Sequence, residues 1–140
     1  MDLLHNSYTT SLSFEEAVSA ALKNPVVEID MAASKHFWDF EGDWDAVIRS
    51  YAVYFDSMVT ALTQILGQPI YRGKWDDPNR QEWNPLLPEY ATALDLAVWQ
   101  KDDLLLYVRN SREDKECPIL IALGAEGSQA TGSAYPGQFE

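Results

Sequence analysis

Asp39, Glu41, Asp43 and Asp45 alternate with Phe40, Gly42 and Trp44, and this run of spaced carboxylates is the first arrangement in the chain with chemistry to offer. Oxygen ligands at alternate positions are what a calcium loop supplies, but such a loop needs a glycine at its sharp turn and a bidentate glutamate at its end. Here the glycine is displaced and the closing glutamate is missing. The run therefore reads either as a solvated lead-in to a helix or as an acidic–aromatic binding patch. Local composition favours the patch. Between Glu28 and Asp45 stand six acids and one base, Lys35, interleaved with Phe37, Trp38, Phe40 and Trp44. Aromatic side chains supply buried anchors at protein interfaces, and carboxylates pair with the Arg and Lys of a partner. Trp38, Asp39, Glu41, Asp43 and Trp44 are accordingly the first candidates for partner binding.

The remaining reactive side chains form no constellation. His5 and His36 lack a second His or Cys at metal-ligand spacing. Cys117 precedes Pro118 and has no nominated base, so it reads as a small apolar residue and not as a nucleophile. The glycines build no phosphate cradle, and chance carboxylate pairs are common in so acidic a chain. No catalytic, cofactor-binding or metal-binding residue is assigned, and no cofactor is expected.

The charge balance points the same way. Against 22 Asp and Glu stand 10 Lys and Arg, a formal net charge of −12 over 140 residues. Nucleic acid and anionic membrane surfaces both demand positive charge on the protein, so neither is an expected partner. A basic protein is, because complementary charge speeds encounter. The hydrophobic content of 46% is that of a globular chain and not of an acidic tail. A single cysteine precludes an internal disulfide and suits a reducing compartment. The first ten residues lack the basic and apolar regions of a secretory signal, and no apolar run approaches the ~20 residues of a membrane span. A cytoplasmic protein, monomeric or weakly dimeric, is expected.

Two helices must organise the fold. Ser13-Phe14-Glu15-Glu16 has the form of a capping box, and the helix it opens, at 14–23, should end before Pro25. The second, at 46–66, has Asp43 or Asp45 as a cap. Its stripe consists of Val47, Tyr51, Tyr54, Phe55, Met58, Leu62, Ile65 and Leu66, with a left-handed terminus at Gly67. Strands are expected at 69–75, 93–99, 104–109 and 118–123, with a Pro-rich loop over 76–89. Residues 26–29 suit a further short strand. The predicted fold class is α+β, two main helices packed on one side of a roughly four-stranded antiparallel sheet. Residues 1–123 should form the single domain, and the glycine-rich 124–140 a flexible tail.

The register of the 93–99/104–109 hairpin follows from the cost of burying Asp95. An odd connecting loop puts Leu94, Leu96 and Val98 on one face with Leu104, Leu106 and Val108. It leaves Asp95, Trp99, Leu105, Tyr107 and Arg109 on the other. An even loop mixes Asp95 with the aliphatic residues, so the odd register is predicted. Trp99 and Tyr107, with Glu113 in the acidic turn that follows, then become second candidates for partner binding.

The run "QILGQPIYRGKWDD", a Pro-rich loop, "ALDLAVWQKDDLLLYV" and "REDKECPILIALG" together resemble immunity proteins of polymorphic-toxin and interbacterial-competition systems. The resemblance spans about residues 46–124. It implies neutralisation of a cognate basic toxin by tight stoichiometric binding, without catalysis. An acidic chaperone for a secreted effector is the alternative of similar size and charge, and a small enzyme of unknown substrate is a third.

Overall fold

A computed structural model describes residues 4–25, 27–36, 44–74, 76–79, 82–83, 92–112 and 118–127. Two helices and six strands follow one another as β1 (Asn6–Thr9), α1 (Phe14–Lys23), β2 (Ile29–Ser34), α2 (Trp44–Leu66), β3 (Tyr71–Lys74), β4 (Thr92–Lys101), β5 (Leu104–Arg112) and β6 (Leu120–Gly127). The strands form one antiparallel sheet in the order β1-β2-β6-β5-β4-β3. The class is α+β, but the sheet has six strands where four were expected. The two extra strands left little pattern. β1 reads Asn-Ser-Tyr-Thr with no aliphatic residue, and β2 carries an irregularity between Asp30 and Ala32 that breaks its alternation.

Both helix termini follow their local chemistry. The Ser13 amide donates to Glu16 Oε1 at 2.8 Å and the Glu16 amide to Ser13 Oγ at 3.1 Å, closing the capping box. α2 ends at Gly67, whose φ of +86° is strained for any residue with a Cβ. Along α2 the buried stripe is Val47, Tyr51, Phe55, Met58, Val59 and Leu62. It packs with Ala17, Val18 and Ala21 of α1 on Ala97 and Trp99 of β4, Leu106 and Val108 of β5, and Ile121, Leu123 and Ala125 of β6. Ile65, assigned to the stripe from its spacing, is half exposed instead. Leu62→Ala should therefore cost ~2–5 kcal/mol through lost burial and an incompletely filled cavity. Ile65→Ala on the same helix should stay within about 0.5 kcal/mol of wild type. Chemical denaturation of the two variants checks the contrast.

The hairpin register is the second correction. β4 and β5 join through the two residues Asp102 and Asp103, Asp102 at φ +56°, and Trp99 pairs with Leu106 and Lys101 with Leu104. The loop is even. Ala97 and Trp99 share the helix-covered face with Leu106 and Val108, while Leu96 and Val98 share the opposite face with Leu105 and Tyr107. Asp95 tolerates this register because it is not unpaired. It lies at the sheet margin, 3.4 Å from Lys74 Nζ and accepting from Asn110 Nδ2 at 3.1 Å. The second face is closed too, by Trp83, whose ring stacks on Tyr71 at 5.5 Å between centroids. A strand buried on both faces reads as a continuous apolar run, as Leu104 to Val108 does. β6 likewise continues to Gly127, with Ala125 in the core, past the strand end expected at 123.

Candidate binding surface

Two polar assemblies stand out, one interior and one at a sheet edge. The interior one lies on the sheet face away from the helices. Glu28, just before β2, accepts from Arg109 Nε and Nη2 and from the Tyr107 hydroxyl, each at 2.7 Å, and Arg109 Nη1 also donates to Ser111 Oγ. These side chains reach from β5 to β2 across the intervening β6. Ala122 pairs with Arg109 and Gly124 with Tyr107, so β6 presents only small residues beneath the crossing. A Cβ at Gly124 would sit 2.6 Å from the Tyr107 oxygen, so the ring needs glycine there. Arg109 is only 3% exposed.

The protonation states in this assembly are held in place. Burial alone would raise the Glu28 pKa, but the Arg109 hydrogen bonds and charge, with the Tyr107 hydroxyl, outweigh it and hold the carboxyl below its ordinary range. Burial, then the Glu28 charge, pushes the Tyr107 phenol upward. A fixed carboxylate, guanidinium and phenol form a clamp between strands, and none of the three changes charge near neutral pH. Glu126, on the same face, is raised by burial and by the Glu28 charge.

The second assembly surrounds β1, an outer strand of the sheet. The Lys35 amide donates to the His5 carbonyl at 2.8 Å, and the Leu4 amide to Ser50 Oγ on α2 at 3.2 Å. The Tyr51 hydroxyl and the Asn6 side-chain amide are bonded at 2.9 Å. Lys35 and the first turns of α2 are thus fastened to residues 4–6, at the start of β1. Ser7, Tyr8 and Thr9 are exposed, and Leu4 and Leu12 flank them with 46% and 39% of their surfaces open.

Of the residues singled out for partner binding, Trp38, Asp39, Glu41, Asp43 and Glu113 lie outside the described residues, as do the capping role of Asp43 and the environment of Cys117. Trp44 opens α2 and is half buried against the main core. Trp99 and Tyr107 are interior, at 1% and 3% exposed. Trp99 Nε1 donates to the Gly67 carbonyl at 2.9 Å. Their placement on an open face came from the odd register; the even one turns Trp99 onto the helix-covered face, and Trp83 closes the face that Tyr107 keeps. Sequence reasoning missed Glu28 and Ser111 as partners of Arg109. The available signal was the small residues Ala122 and Gly124 alternating with Ile121 and Leu123.

Among the described residues no group of three or more His, Cys, Asp or Glu could hold a metal ion, and no helix is long and apolar enough to cross a membrane. No protein family, curated protein or solved structure matches the chain.

Proposed function

We propose that this chain is an immunity protein that neutralises a cognate basic toxin in the cytoplasm by stoichiometric binding. The observation that carries the reading is the charge of −12 on a small folded domain. Arg109 and Glu28 cancel each other within the fold, which leaves that net charge to the rest of the chain. Such a charge accelerates encounter with a basic protein, and the speed falls as salt screens it. A two-sided core and an interior clamp supply a rigid body, which limits the ordering cost of association. Trp38, Asp39, Glu41, Asp43 and Trp44 are the proposed contact residues.

Co-expression with the product of the neighbouring gene, followed by affinity purification, growth-rescue assays and binding kinetics, tests the reading. The chain should co-purify with that product and relieve its toxicity at a 1:1 ratio. Asp39→Lys should mainly slow association, whereas Trp38→Ala should speed dissociation and cost ~2 kcal/mol or more of affinity. A neighbouring product that is neither toxic nor bound would overturn the proposal.

A further inference from the structure

The two outer strands of the sheet are protected unequally. An exposed strand edge invites another strand to pair with it, and proteins block such edges with cations, proline or a covering segment. β3 follows that rule. Arg72 and Lys74 stand on a four-residue edge strand, bridged to Asp56 and Asp95, and a strand docking there would have to desolvate them. β1 carries neither a charge nor a proline: its four residues are Asn6, Ser7, Tyr8 and Thr9. Three of them are exposed, as are Leu4 before the strand and Leu12 after it. The register irregularity between Asn6 and Tyr8 shortens the regular stretch. Pairing along it alone would be weak, so side-chain contacts and charge must contribute.

We infer that β1 is the docking edge, and that its occupant is an extended strand of the basic partner, added antiparallel to β1 with cationic and apolar side chains alternating. The inference rests on the immunity reading above for the identity of that partner, not for the existence of the edge. Charge complementarity selects this occupant. A second copy of the chain would bring another −12 charge against the first, and Glu15 and Glu16 add two acids to the first turn of the helix that follows β1. A basic strand meets those carboxylates favourably, and it is turned away from β3 by Arg72 and Lys74. The chain flanking the acidic–aromatic residues 37–43 is fastened beside β1 through Lys35–His5 and Leu4–Ser50. Backbone pairing would give affinity, and alternate side chains specificity.

The test uses the full chain and a synthetic alternating Lys-Val octapeptide, with a Glu-Val octapeptide as its counterpart, followed by amide NMR shifts at low salt. The Lys-Val peptide should perturb the amides of residues 6–9 and leave 71–74 unmoved. Tyr8→Lys/Thr9→Lys, which copies the guard of the other edge, should weaken binding at least tenfold with an unchanged melting temperature. Lys74→Gln should bind as wild type. Perturbation at 71–74, at neither edge, equal binding of the Glu-Val peptide, or peptide-independent dimerisation through β1 would each overturn the inference. Hydrogen exchange of the complex with the neighbouring gene product separates it from the reading it rests on. A bound toxin that leaves 6–9 unprotected defeats the docking edge and spares the immunity function. A peptide that engages β1 while no toxin binds does the reverse.

Discussion

Glu28→Ala should destabilise the protein by about 3–5 kcal/mol, because it leaves the Arg109 guanidinium buried without its counter-charge. Arg109 keeps only 4% of its side-chain surface open, so the carboxylate does most of the work of solvating it. The Tyr107 hydroxyl loses its acceptor in the same step. Replacing both partners, as in Glu28→Met/Arg109→Leu, should recover most of the loss, since apolar residues of similar volume need no solvation. Urea denaturation of the three proteins measures the difference, and a single variant no worse than the double would dismiss the clamp. The clamp also sets an acid limb. Glu28 has a folded pKa below its unfolded value of ~4.3, so its stabilisation is fully present above that pH and is lost as pH falls through the folded pKa. Glu126 acts oppositely: its raised pKa means its charge is disfavoured in the fold, and protonation on acidification relieves that cost. Loss of stability on acidification should therefore be shallower in the double variant than in wild type.

Trp99→Ala is expected to cost about 3–5 kcal/mol of folding stability, a core value and not a surface one. The side chain is 1% exposed among α2 and β5 residues, and its indole N–H ties β4 to the end of α2 through the Gly67 carbonyl. Trp99→Phe should retain most of the packing and lose chiefly that hydrogen bond, about 0.5–1.5 kcal/mol. Thermal melts and urea titrations of both variants are the measurement. If Trp99→Ala melted like wild type while impairing partner binding, Trp99 would be a surface anchor and the hairpin register would have to be odd after all.

Much of the fold was legible along the chain because its causes are local. The capping box at Ser13 and Glu16, the stop before Pro25 and the left-handed Gly67 each depend on groups within a few residues of one another, so spacing suffices to place them. The buried stripe of α2 was readable for a related reason: one core face imposes one period. The charge of −12, which carries the functional reading, is a property of composition alone. The rest depended on partners that are distant in sequence. β1 becomes a strand because β2 is there to pair with it, since Asn-Ser-Tyr-Thr has no face of its own to bury. The hairpin register turned on whether Asp95 had a partner, and its partners are Lys74 and Asn110, 21 and 15 residues away. With the other register Trp99 would have shared the second face with Tyr107; with this one it lies under the helices, while Tyr107 is interior because Trp83 covers its face. Glu28 meets Arg109 across 81 residues and one intervening strand, a meeting made possible by the small side chains at 122 and 124. A linear reading weighs each charge against its neighbours, whereas burial is settled by whichever side chains the sheet brings alongside.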